Sequence, residues 1–330
     1  MAGPYTGHNS FLLVGAESTF DTAASSITKD IGYVENANSS FNNNAQDIRS
    51  LGDRQSEDTI PGNFDAGLTA DGHLNSGAIL EMFFGQCTDA ATSTDYKHTF
   101  LDTAGSPSTL PSSIGSYTIR ENLSAGTDIT LTHTGCKVNT CEIKLETNNT
   151  LKFNSEIVGT NVVKATTAGT RVRTTTKPMG GFQGTISLAD TGSSYTVIGL
   201  PSTFTISLNN NIDANDVKAL GSRLNQELVA KNLESPVKFT QKFANSVEFE
   251  QFLGGTTAGD SVTNSDIKIQ VTNGTTLGSG RIELYLELTN GMLTTTEVNK
   301  AHDGVIEASY EFVNGRIKSC YFVDAVPTYF

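Results

Sequence analysis

The sequence predicts a mainly β protein with minor α content: two similar β-sandwich domains, each with one flanking short helix. Three observations carry this. Thr, Ser, Asn and Gly replace part of the usual apolar content, which stands at 37%, with 31 Gly against only 8 Pro. Such a mixture favours short strands joined by turns. Apolar residues alternate over several stretches in both halves of the chain. A segment of the first half also returns in the second at constant spacing.

The repeat begins with "DIRSLGDR" (47–54), which reappears as "DVKALGSR" (216–223). Asp47, Leu51, Gly52 and Arg54 recur as Asp216, Leu220, Gly221 and Arg223, 169 residues later. The spacing holds without a gap over 47–85 against 216–254, where Asn63/Asn232, Glu81/Glu250, Phe83/Phe252 and Gly85/Gly254 are also identical. Apolar character is kept at Ile60/Val229, Leu68/Val237, Leu74/Phe243 and Leu80/Phe249.

Within the repeat, "NSGAILEMFFG" (75–85) and "NSVEFEQFLGG" (245–255) each predict a short helix. Each opens on Asn-Ser, a good capping pair, and Asn245 with Glu248 fits a capping box. Leu74, Ala78 and Met82 share one face, as do Ile79 and Phe83, and a glycine follows each run where a left-handed cap is wanted. The remainder reads as strand. In the first half Ile129 and Leu131, then Ile143 and Leu145, then Leu151 and Phe153 alternate, with "NNT" (148–150) as a turn. In the second, Ile267, Ile269 and Val271 precede Ile282, Leu284, Leu286 and Leu288, with a turn at Asn273–Gly274. The Thr-rich stretch 165–181 lacks apolar periodicity and marks the seam, giving domains 1–170 and 171–330.

A net charge of −13 speaks against a partner bound through its phosphate backbone. Trp is absent, which removes the commonest sugar-stacking platform. Four cysteines (Cys87, Cys136, Cys141, Cys320) are too few for a disulfide scaffold. The N-terminal run "FLLVGA" lacks the flanks of a signal peptide, and no segment reaches membrane-span length, so the expectation is a cytoplasmically made chain with reduced thiols.

No catalytic motif stands out, and no catalytic, cofactor-binding or metal residue is assigned. His133, Cys136 and Cys141 form the best metal-like cluster, but their spacing crosses an expected turn and lacks a fourth ligand. Two half-buried thiols and an ordinary histidine explain it better, with a Cys136–Cys141 bridge left open. Asp213, Asn215 and Asp216 lack the Gly and terminal Glu of a calcium loop and read as a turn. The sequons at Asn38, Asn122, Asn148 and Asn273 are expected by chance in so Asn- and Thr-rich a chain.

"VGAESTFDTA" (14–23), "IRSLGDR" (48–54), "TGCKVNTCEIKLETNNTLKFNSEIVG" (134–159) and "STFTISLNNNIDANDVKALGSR" (202–223) together resemble tail tube proteins of long-tailed viruses of bacteria or archaea. The resemblance implies a virion structural protein, not an enzyme and without cofactors, assembled in the host cytoplasm into stacked rings through which viral DNA passes during ejection. It implies contacts with copies of itself and with tape measure, tail terminator and distal tail proteins. This chain is about twice the length of the short form, as a tandem duplication would make it. Six domains per ring then imply a homotrimeric, pseudo-hexameric ring, with six chains as the alternative. The competing reading is a carbohydrate- or receptor-binding β-sandwich of the tail tip.

Overall fold

The computed structural model describes residues 10–52, 54–123, 129–166, 169–172, 176–215, 217–243, 247–258, 262, 264–300 and 305–330. The first half carries β1 (Phe11–Ala16), β2 (Tyr33–Asn42), β3 (Gln46–Ile48), β4 (Asp58–Ile60), β5 (Asp65–His73), α1 (Ala78–Phe84), β6 (Thr88–Thr92), β7 (Asp95–Asp102), β8 (Tyr117–Leu123), β9 (Ile129–Glu146), β10 (Lys152–Gly159) and β11 (Asn161–Ala165). The second carries β12 (Gly184–Asp190), β13 (Thr196–Val197), β14 (Pro201–Asn209), β15 (Val237–Lys242), α2 (Val247–Leu253), β16 (Ser265–Thr272), β17 (Glu283–Asn299), β18 (Glu307–Val313) and β19 (Arg316–Asp324). The protein is mainly β, as its composition predicts.

Alternation places the strands. Ile267, Ile269 and Val271 of β16 and Leu284, Leu286 and Leu288 of β17 are all buried, while the chain leaves β16 at Asn273–Gly274 (φ +73°) into a longer loop whose turn falls at Leu277–Gly278. β9 departs from expectation. It runs unbroken through "HTGCKVNTC", bending at Gly135 (φ +63°) instead of turning back. Its parity also differs, since Thr130 and Thr132 are buried while Ile129 and Leu131 are only partly so.

The long strands β9 and β17 each serve two sheets. The first part of β9 pairs with β8 and β11, and β8 continues to β1. Its second part pairs with β10 and β14. A continuous antiparallel sheet therefore runs β2-β5-β10-β9-β14-β15-β18-β17 across the whole chain. On the far side β17 joins β16 and β19, with β12 and β13 beyond β16 and β7 and β6 beyond β19.

The pairing pattern of the first half recurs in the second. β1-β8-β9 matches β12-β16-β17, β11 on β9 matches β19 on β17, and β2-β5-β10-β9 matches β14-β15-β18-β17. The bulges recur as well. Glu35 is skipped between β2 and β5 as Ser202 is between β14 and β15. Asn139 is skipped between β9 and β10 as Thr294 is between β17 and β18. Gly135 and Asn290, both at positive φ, occupy the same bend in β9 and β17.

Helices α1 and α2 begin and end 169 residues apart, as the repeat predicts. In α1, Ala78, Ile79, Leu80, Met82, Phe83 and Phe84 are all buried, so the helix is enclosed instead of lying on the surface with one apolar face. Burying each large side chain is worth about 2–3 kcal/mol. The expected cap differs. Gly77 is the N-cap, and Asn75 instead donates to the Thr176 carbonyl and accepts from the Tyr33 N–H. Gly85 closes the helix at φ +68°, its N–H on the Glu81 carbonyl. The Asn245 half of the second capping box lies outside the described residues.

Candidate assembly interface

The two halves meet along β9 and β14. Phe204, Ile206 and Leu208 stand opposite Leu145, Ile143 and Cys141, and all six are buried. "SLNNN" (207–211) ends the strand at Asn209 and carries the chain out of the sheet, with Asn211 at φ +50° and its N–H on Asn209 Oδ1. Asn210, buried, donates Nδ2 to the carbonyls of Phe83 (2.9 Å) and Val138 (3.0 Å) in the first half. Lys137 Nζ of β9 donates to the Leu228 carbonyl at 2.6 Å, and burial lowers its pKa below the ordinary lysine value.

The second copy of the repeated "LGxR" segment lies at the same junction. Gly52 and Gly221 adopt φ +101° and +86°, and the preceding Leu51 and Leu220 both stand fully in solvent. Arg223 reaches back to the Gly62 carbonyl (2.9 Å) and Asn43 Oδ1 (2.8 Å), and its own carbonyl accepts from the Phe64 N–H. Lys218 Nζ lies 2.6 Å from Asp65 Oδ1. Partial burial would raise the Asp65 pKa, but hydrogen bonds from Lys218 and Asn44 outweigh it and hold it below the usual carboxylate value.

A second join between the halves uses a hairpin of the first half that has no counterpart among the described residues of the second. The β6–β7 hairpin follows α1 and extends across to β19, where Tyr96–Asp102 pairs with Ser319–Asp324. The tail after β19 then packs on the first half. Tyr329 donates its hydroxyl to Asp324 Oδ2 (2.7 Å) and accepts the Gly77 N–H (2.9 Å). Buried His98 sits between Asp89 (2.7 Å) and Asp324 (3.2 Å). Burial works against its charged form, but hydrogen bonds and charges of the two carboxylates win and raise its pKa.

Cys87, Asp89 and His98 are the group of metal-type side chains that comes together among the described residues. Both nitrogens of His98 are already held by carboxylates, which suits an ion-pair network better than a coordination sphere. His133, Cys136 and Cys141 do not converge. His133 contacts Glu121 and Ser39, and the cysteines are free. Five residues apart along one strand, Cys136 and Cys141 are roughly 16 Å apart, beyond disulfide reach. Asp213 accepts from the Asn215 N–H in a turn, and Asp216 lies outside the described residues.

The long sheet has two open edges, β2 and the second part of β17, neither of which has an outer partner strand among the described residues. Phe41, at the β2 position matching buried Leu208, is 46% exposed. On the sheet face away from the core, β9 presents Glu142, Lys144 and Glu146, while β10 presents Lys152 and Glu156. β15 adds Lys238 and Lys242, β18 Glu307 and Glu311, and β5 and β17 add Asp71 and Glu297, so carboxylates outnumber lysines.

No helix is long and apolar enough to cross a membrane among the described residues. No curated protein matches the chain. A family model described as phage tail tube protein matches residues 7–313. With its open-edged antiparallel sheet, the chain belongs to the phage tail tube protein family and is a structural protein of the virion tail.

Proposed function

We propose that the chain is a tandem pair of tail-tube domains, residues 1–170 and 171–330, and that three copies close each ring. The rings stack head to tail into a tube that contacts tape measure, tail terminator and distal tail proteins. The observation that carries this is the recurrent pairing pattern with its matching bulges. Strand β14 of the second half completes β9 of the first, so one junction of a ring is already made within the chain. Edges left open at β2 and β17 are the same two kinds of edge, and closing them removes every free edge from the long sheet.

The polar face of that sheet lines the lumen in this reading. An excess of carboxylates there repels phosphates, and DNA slides without being held. Helical reconstruction of assembled tubes by electron cryomicroscopy tests both points. Three chains per ring with an acidic or neutral inner wall is the expected result. Six chains per ring, or a wall dominated by lysine, rejects it.

A further inference from the structure

The junction inside the chain specifies the junction between chains, residue by residue. This rests on the ring reading above and adds the identity and register of the mating groups. β14 maps onto β2 at a spacing of 167 residues, fixed by the shared bulge at Glu35 and Ser202. β9 maps onto β17 at a spacing of 155, fixed by the shared bulge at Asn139 and Thr294. Applied to the β14–β9 register, these spacings place Asn38 opposite Asn299, Ser40 opposite Glu297 and Phe41 opposite Thr296 of a second copy.

The groups around the strands map as well. "SFNNN" (40–44) is the counterpart of "SLNNN" (207–211), and Asn44, like Asn211, has positive φ and donates its N–H to the Asn two residues earlier. Asn43 therefore stands where Asn210 stands. Asn210 donates to the carbonyls of Phe83 and Val138, whose counterparts are Phe252 and Leu293. The Lys218–Asp65 ion pair maps onto Arg49 and Glu234 with both charge signs kept. In the single chain Glu234 is exposed, and Arg49, also exposed, turns back onto Asp47 at 2.6 Å.

We infer that the interface between copies is formed by β2 of one chain pairing with β17 of the next. In it Asn43 donates to the carbonyls of Phe252 and Leu293, and Arg49 exchanges Asp47 for Glu234 of the neighbour. The occupant of each open edge is a second copy of this chain.

Two experiments on the full chain test it. Arg49→Glu and Glu234→Arg each place like charges together, and the concentration needed for tubes in negative-stain micrographs should rise about tenfold or more. The double exchange Arg49→Glu/Glu234→Arg should restore assembly, while circular dichroism and melting of the dissociated chain stay unchanged throughout. Ser40→Cys/Glu297→Cys should oxidise to covalently linked chains on a non-reducing gel, whereas Ser40→Cys/Asn299→Cys, out of register, should not. Assembly indifferent to both charge reversals, or tubes that cross-link only out of register, overturns the inferred interface while leaving the ring reading intact. Absence of tubes from the unaltered chain under all conditions counts against the ring reading itself.

Discussion

Asn210 donates its side-chain amide to the carbonyl of Phe83, the next-to-last residue of α1, at 2.9 Å across the junction between the two halves. The carbonyls near a helix C-terminus need such partners, and this one comes from residues distant in sequence. Asn210→Ala leaves two buried carbonyls without that donor and should cost about 1–3 kcal/mol of stability in chemical denaturation. Asn43→Ala gives up one exposed hydrogen bond from Arg223 and should cost the dissociated chain under about 1 kcal/mol, yet should impair assembly. Equal destabilisation by both substitutions would contradict the different roles assigned to this matched pair.

Glu81 has a pKa of about 7, raised first by burial and then by the charge of Asp89. Between about pH 4.5 and 7 the folded chain holds a proton there that the unfolded chain has released. Stability therefore falls as pH rises through that window. Glu81→Gln removes the titration and should stabilise the chain at pH 8 relative to pH 5 by up to about 3 kcal/mol. Urea midpoints measured for both proteins across this range check it, and parallel curves would refute it.

The His98 ion-pair network adds a dependence of the same sign through its histidine. Its pKa is raised in the folded chain, so the stabilisation is complete below the unfolded histidine value and is lost as pH rises through the folded one. Asp89, whose burial is outweighed by its hydrogen bond to His98, has a lowered pKa and loses its contribution as pH falls. Tyr329→Phe removes the hydroxyl shared by Asp324 and Gly77 and should cost about 1–3 kcal/mol. Hydrogen exchange should then show earlier opening of residues 325–330, and unchanged protection there would show that the Tyr329 hydroxyl does not hold the C-terminal tail on the first half.

Leu51 and Leu220 are fully exposed on matching glycine turns, one in each half. In the proposed stack of rings, two such leucines in equivalent places are expected to meet apolar surface on the adjacent ring. Leu51→Asp/Leu220→Asp should leave single rings intact and shorten or abolish tubes in electron micrographs. Tubes of normal length would exclude this role.

Much of the fold was legible from periodicity. The 169-residue spacing located both helices, and alternation located β16 and the start of β17. What escaped depended on insertions. "SFNNN" and "SLNNN" match at a spacing of 167, and the following turn shifts it to 169, so the motif that makes the junction fell outside the ungapped repeat. After the helices the β6–β7 hairpin, present in the first half, drops the spacing to 155 at β9 and β17 and hides their kinship. The turn expected between His133 and Cys141 is a bend at Gly135, because a glycine at positive φ serves equally well to turn a chain or to bend a strand. Asn75 read as a helix cap because its partners, Tyr33 and Thr176, are remote in sequence.

The β6–β7 hairpin has a mechanical consequence. Within a chain the halves are held by two strand pairings, β9 with β14 and β7 with β19. Between chains only the counterpart of the first is provided by the inferred register, and the outer edge of β11, the counterpart of β19, has no partner strand among the described residues. In a ring of three chains stiffness would therefore alternate around the circumference. Three firm joints would lie inside chains and three more compliant ones between them. A bending tail would flex along lines set by chain boundaries, giving a nominally sixfold cylinder a threefold elastic response.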